Sequence, residues 1–202
     1  MTASAGPALR RLHRDYGGRV RFVTLYVREA HPGERYPQPA TLERKIRHAR
    51  DYAARDGIEW TVAVDELDGR LHRALDEKPS SAYFMDPSGR VVFRTLWSND
   101  ASTFRAGLEA ALHGQPPEDA EREPKVAPML GGLGAMDEIL AASGETARRD
   151  VYAILPPLGP LARLARAFRP LPPLGRGIVA VALAAVAALG LGILVARWSR
   201  AA

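Results

Sequence analysis

Glu29 and His31 are the residues of this chain whose types and spacing best suit the movement of a proton. A carboxyl and an imidazole can hand a proton between them near neutral pH, and histidine is the side chain that ordinarily titrates there. Both follow directly on Phe22–Val27, a β-branched and aromatic run with no Gly or Pro, and Pro32-Gly33 comes just after them. Such a run, apolar on both faces, predicts an interior strand of a covered, mostly parallel sheet. Ligands of open parallel sheets bind outside the carboxyl ends of the strands, which is where this pair falls. Hydrogen bonding within a loop is the plainer role open to the same two residues.

The elements that must position them follow in order. Pro7–Tyr16 reads as a short amphipathic helix carrying Leu9, Leu12 and Tyr16 on one face and stopped by Gly17-Gly18. After the strand and a Pro-rich loop, Thr41 is the expected N-cap of a helix with a Leu42, Ile46, Ala49, Ala53 stripe that closes at Gly57. Trp60–Asp65 predicts a second buried strand, Leu67–Leu75 a short helix, and Ala82–Asp86 a third strand. Asp86-Pro87-Ser88-Gly89 has the residues of a type I turn, which makes Arg90–Leu96 the other arm of a hairpin. Asp100 or Ser102 caps a closing helix that runs to Leu112. This order, two parallel-type strands joined by a helix and then a hairpin and a helix, resembles an α/β thioredoxin-like fold missing its first, central strand. In that fold a cis-proline stands before the third strand, beside the active site; Pro79 holds that position, and an ordinary trans bond is the base-rate alternative.

Composition narrows the function classes. The 202 residues contain no cysteine, which excludes disulfides, Cys-ligated metals and thiol catalysis by this polypeptide as written. The net charge of +5 would suit nucleic acid, but its distribution does not. Residues 118–150 carry eight acids against four bases, whereas 151–202 carry six bases and no acid. Positive charge beside an apolar tail points to a membrane surface rather than nucleic acid. Gly177–Ala196 is twenty residues without a charge, about 30 Å as a helix and the thickness of a bilayer core. Arg163, Arg166, Arg169 and Arg176 precede it and only Arg197 and Arg200 follow. The positive-inside rule then predicts a single-pass protein of the cell membrane with its N-terminal part in the cytoplasm. Met1–Pro7 lacks the apolar core of a signal peptide. Ala180, Ala184, Ala188 and Gly192 form a small-residue row that would let a second copy pack as a homodimer, although chance spacing in an Ala-rich span is the preferred explanation of the row. The expected organisation is a domain over 1–114, a linker over 115–128, a helical and partly amphipathic juxtamembrane region over 129–176, a transmembrane helix over 177–196 and a short basic tail over 197–202. Leu158–Phe168, basic on one face, suits either the headgroup layer or packing on the soluble domain.

Phe22-Val23-Thr24-Leu25-Tyr26-Val27-Arg28-Glu29-Ala30-His31 resembles the "VYI-x-EAH" segment of the iodothyronine deiodinase family, membrane-anchored reductases of thioredoxin fold that use selenocysteine or cysteine. Pro37-Gln38 before Thr41-Leu42-Glu43 is similar to the family's "PQ-x-x-SLE" helix start, and Val62-Ala63-Val64-Asp65 to its "VVVD" strand. Ala82–Asp86 is similar to its hairpin entry, and the likeness spans roughly residues 8–113. The resemblance implies that Tyr26, Glu29 and His31 deliver protons beside the nucleophile, that an external thiol is the electron donor, and that neither a bound cofactor nor a metal is needed. Two departures stand out. Pro39 replaces a second family histidine, which argues against iodothyronine itself as substrate. The family's nucleophile belongs at the end of a strand preceding the Pro7–Tyr16 helix, and this chain has no cysteine. The expectation is therefore a reading frame begun too late, through an in-frame UGA or a missed upstream start. The chain as written would be an inactive deiodinase-like thiol or selenol oxidoreductase. The alternative is a non-catalytic thioredoxin-like binding module tethered to the membrane.

Overall fold

The computed structural model describes residues 2–75, 80–115 and 126–200. The chain is mixed α/β, rich in helix, and ends in one long apolar helix. In order it forms α1 (Thr2–Tyr16), β1 (Val23–Tyr26), α2 (Leu42–Asp56), β2 (Thr61–Val64), α3 (Arg70–Ala74), β3 (Ala82–Met85), β4 (Val91–Thr95) and α4 (Ala101–His113). Four more helices follow: α5 (Val126–Ser143), α6 (Glu145–Ile154), α7 (Leu158–Ala167) and α8 (Pro173–Trp198). The local signals behave as their chemistry dictates. The Thr41 side chain accepts from Arg44 N, and Gly57 closes α2 at φ 60°, a left-handed conformation glycine adopts without strain. Asp100 caps α4 by accepting from Ser102 N and Thr103 N. Gly89 N donates to Asp86 O at 2.9 Å across the hairpin turn. α1 begins earlier than expected, at Thr2, with Pro7 inside it.

The strands form two separate two-stranded sheets. β1 and β2 pair in parallel with Val23 opposite Thr61, and β3 and β4 pair antiparallel with Phe84 opposite Phe93. Among the described residues no strand joins the two pairs, so β1 and β3 each keep an unpaired edge. The expected interior strands are accordingly only partly covered, and Val23 is 54% exposed. Side chains bridge the halves instead. Phe22 lies 5.8 Å from Trp60 on one side and 6.4 Å from Phe104 on the other, and Phe104 meets Phe84 edge-on at 4.9 Å. Leu12 and Tyr16 of α1 complete this core with Phe84, Phe93 and Leu108. Gly107 lets α4 lie flush on the hairpin, since a Cβ there would stand 2.6 Å from both Phe84 and Phe93.

The C-terminal helices form a second packed body. A Cβ on Gly134 would lie 1.8 Å from Pro173 O, and one on Gly177 would lie 2.0 Å from Leu130 O. These two glycines set α5 against the start of α8 in antiparallel sense. α7 buries Ala162 and Ala165 in the same body. Asp137 is buried at its centre, accepting from Arg166 Nη1 at 2.8 Å and Tyr152 OH at 3.1 Å, with Arg148 Nε 3.4 Å away. Glu138 pairs with Arg169 and Arg176. α8 is long and apolar enough to cross a membrane. One side of its first turns is seated on the protein, where Gly177 and Ala180 are buried, while Leu174 and Ile178 on the other side are 41% and 48% exposed. From Val181 onward the large side chains stand out, with Val186, Leu189 and Leu194 each about two-thirds exposed.

Candidate proton-relay site

The loop leaving β1 and the inner face of α2 build the site together. Thr41 fixes where α2 starts, and the helical period then sets Lys45, His48, Ala49 and Tyr52 on one face. Lys45, His48 and Ala49 are buried, while Leu42, which headed the expected stripe, is 44% exposed. α2 is thus rotated by about one residue from the apolar stripe, and the reason is the polar ground beneath it. Lys45 Nζ reaches Glu66 O at 2.7 Å and His48 reaches Glu29.

Glu29 is the hub. Its Oε1 accepts from the Tyr26 hydroxyl and lies 3.0 Å from His48 Nδ1. Gln38 holds the same residue by its backbone, accepting from Glu29 N at 3.1 Å and donating to Glu29 O at 3.3 Å. The Tyr36 ring stands edge-on to His48 at 5.2 Å, and Tyr52 lies 5.8 Å from the Tyr26 ring. The His48 and Glu29 side chains are 9% and 17% exposed, so the pair is largely shielded from water. Burial, followed by the hydrogen bond to the Glu29 carboxylate, pushes the Tyr26 phenol far above its ordinary value. Tyr26 therefore stays a donor at neutral pH. Against a carboxylate oxygen that already accepts from the phenol, the 3.0 Å contact of His48 is a hydrogen bond when Nδ1 carries a proton. Phenol, carboxylate and imidazole in sequence can hold a proton and pass it on.

The expected trio is brought together in part. Tyr26 and Glu29 meet; His31 does not join them and stands exposed on the loop beyond. The imidazole at Glu29 is His48, nineteen residues further on. Sequence reasoning missed it because the α2 stripe was assigned to the aliphatic residues. The available signal was Lys45, His48 and Tyr52, which also recur at helical spacing. Pro79 lies outside the described residues. Among the described residues no group of three or more His, Asp or Glu is placed to hold a metal.

The same loop is fastened to the C-terminal body. Arg35 N donates to Ser143 O at 3.1 Å, and Gly33 packs directly on Ser143 O, where a Cβ would be 2.3 Å away. Gly144, at the N-cap of α6, has no side chain to satisfy the first turn. Glu34 supplies the missing acceptor from 112 residues earlier, taking Thr146 N at 2.9 Å and the Thr146 hydroxyl. The loop that carries Glu29 is thus clamped at one end by Gln38 and at the other by the α5–α6 junction.

No family model, curated protein or solved structure matches this chain.

Proposed function

We propose that this chain is a membrane-tethered, thioredoxin-like module of deiodinase type, in which Tyr26, Glu29 and His48 hold and deliver the proton of a thiol- or selenol-dependent reduction. The observation that carries this reading is the shared Glu29 Oε1, with a phenol and an imidazole on one largely buried oxygen at the end of a parallel strand. The parallel β1–β2 pair and the antiparallel β3–β4 pair, with no strand between them among the described residues, are consistent with a thioredoxin-like arrangement lacking its central strand. Reductive removal of an aryl halide takes the halogen onto a soft nucleophile and puts a proton on the carbon left behind, while two thiol equivalents become a disulfide or selenenyl sulfide. The protein's part in this is the proton. The chain has no cysteine, so the nucleophile is contributed by a small thiol or selenol or by other polypeptide. α8 is the tether, and the arginine excess on its N-terminal side favours a cytoplasmic domain.

Chemical rescue tests the reading. The purified full chain in detergent, given an aryl iodide and dithiothreitol, turns over nothing above the solution rate. Adding 2-aminoethaneselenol as the nucleophile gives deiodination faster with the wild type than with Glu29→Gln or His48→Gln. Equal rates for wild type and both variants would sink the proposal. The absence of cysteine also favours a second reading, a tethered binding module without chemistry of its own. It predicts that the selenol leaves all three proteins equally inert.

A further inference from the structure

The carboxyl ends of β1 and β2 open onto a cleft of about 270 Å³, a short step from Glu29 along the Gln38 side chain. Its walls carry three cations, Arg28 from the end of β1, Lys45 from α2 and Arg73 from α3, and the His72 imidazole of α3 lies beside them. Asp68 is the one acid among the lining residues, and its charge is already met, since Arg73 Nη2 donates to its Oδ2 at 2.9 Å and Arg73 Nη1 to its backbone oxygen. Lys45 is 2% exposed. An ammonium carries three N–H donors. One goes to Glu66 O, and the other two have no acceptor within hydrogen-bond reach among the described residues. Asp65 and Asp68 attract the Lys45 charge from a distance but not by hydrogen bonds. His72 Nε2 is buried and has no partner among the described residues. A buried cation with spare donors is costly unless something accepts from it. Arg28 forms no ion pair or hydrogen bond among the described residues, is exposed and lines the same cleft.

We infer that this cleft binds a small oxyanion, a phosphate or a carboxylate, through Lys45, His72 and Arg28. Lys45 donates from the floor, Arg28 closes on the anion from the rim, and Arg73 stays bound to Asp68 so that its carboxylate does not repel the ligand. The volume sits at the low end for ligand pockets, which suits a small anionic group rather than an extended molecule. The α3 helix contributes no free amides, because Asp65 already accepts from Leu71 N and His72 N. This inference does not rest on the thiol reading: it is read as binding, not turnover.

Isothermal titration of the full chain in neutral detergent with inorganic phosphate, and separately with acetate, at matched chloride concentration, tests it. At least one anion gives saturable binding, and the arm that responds identifies the oxyanion. Arg28→Ala lowers that affinity about tenfold, the scale of a lost charge-assisted contact, and Lys45→Met abolishes it. Arg21→Ala, at the other end of β1, leaves it unchanged. Should Lys45→Met not fold, Arg28→Ala decides alone, since Arg28 is exposed. No saturable binding of either anion, or equal affinity in Arg28→Ala and wild type, overturns the inference.

Discussion

Glu29 at the end of β1 chooses between two histidines, and the choice separates structure from sequence proximity. His31 is two residues away on an exposed stretch of the loop, whereas His48 comes back from α2 to sit on the carboxylate. The energetic consequence is measurable. Removing the Glu29 carboxylate strands the Tyr26 hydroxyl and the His48 Nδ1 in a largely buried place, and each unsatisfied buried polar group costs about 1–3 kcal/mol. Glu29→Ala therefore lowers the unfolding free energy by about 1–3 kcal/mol, since one of the two groups can turn toward water. His31→Ala falls within about 0.5 kcal/mol of wild type, as exposed substitutions ordinarily do. Urea unfolding in detergent, followed by near-ultraviolet circular dichroism, reads both. Equal losses at the two positions would place His31 back in the cluster.

Among the elements, α5 does most to hold the second body together. Its Gly134 and the Gly177 of α8 let the two helices meet backbone to backbone, and its Asp137 gathers Arg166, Tyr152 and Arg148 from α6 and α7. Burial pushes the Asp137 carboxyl up, but the hydrogen bonds from Arg166 and Tyr152 and the nearby Arg148 charge outweigh it and hold the group below its ordinary value. The sign of the linkage follows from that depression. The stabilisation is fully present above the unfolded aspartate value of about 3.9 and is lost as pH falls through the lower folded value. The wild-type melting temperature accordingly drops on acidification below about pH 4, and Asp137→Asn, already weakened at neutral pH, has a shallower acid limb. An unchanged limb in Asp137→Asn would mean the acid sensitivity lies elsewhere. α6 depends on a neighbour in another way, because its cap is Glu34 of the relay loop rather than a residue of its own.

At the scale of the whole molecule, the relay loop and the C-terminal body are one assembly, joined through Glu34, Arg35 and Ser143, and α8 grows out of that assembly rather than from a loose linker. Beyond Gly177 and Ala180, Val181–Trp198 is the part of this candidate span that holds no buried residue. Those residues span about 27 Å at 1.5 Å each, close to a bilayer core of about 30 Å. Removing residues 181–202 leaves Gly177 seated against Leu130 of α5, so the truncated protein stays folded and moves from the membrane pellet to the soluble fraction on cell fractionation. Retention in the pellet would assign membrane contact to another surface, with the exposed Ile154 and Leu155 at the end of α6 the first to test.

The amino-acid sequence by itself determined what depends on neighbours a few residues away: the Thr41 and Asp100 caps, the Gly57 stop, the Asp86–Gly89 turn and the uncharged run after Arg176. Each is settled by a hydrogen bond within one turn or by composition over a single helix, and each was legible. It also marked the end of β1 as the place to look, since an acid beside a strand's carboxyl end is a local fact. Tertiary structure alone decided which groups meet there. The pairing of Glu29 with His48, the rotation of α2 toward polar ground, the division of the strands into two pairs, the cap lent to α6 by Glu34 and the seating of Gly177 of α8 on α5 all join residues far apart in the chain. Such contacts are selected by the packing of whole elements against one another. No periodicity within a single element records its partner, so these were beyond the reach of the sequence read alone.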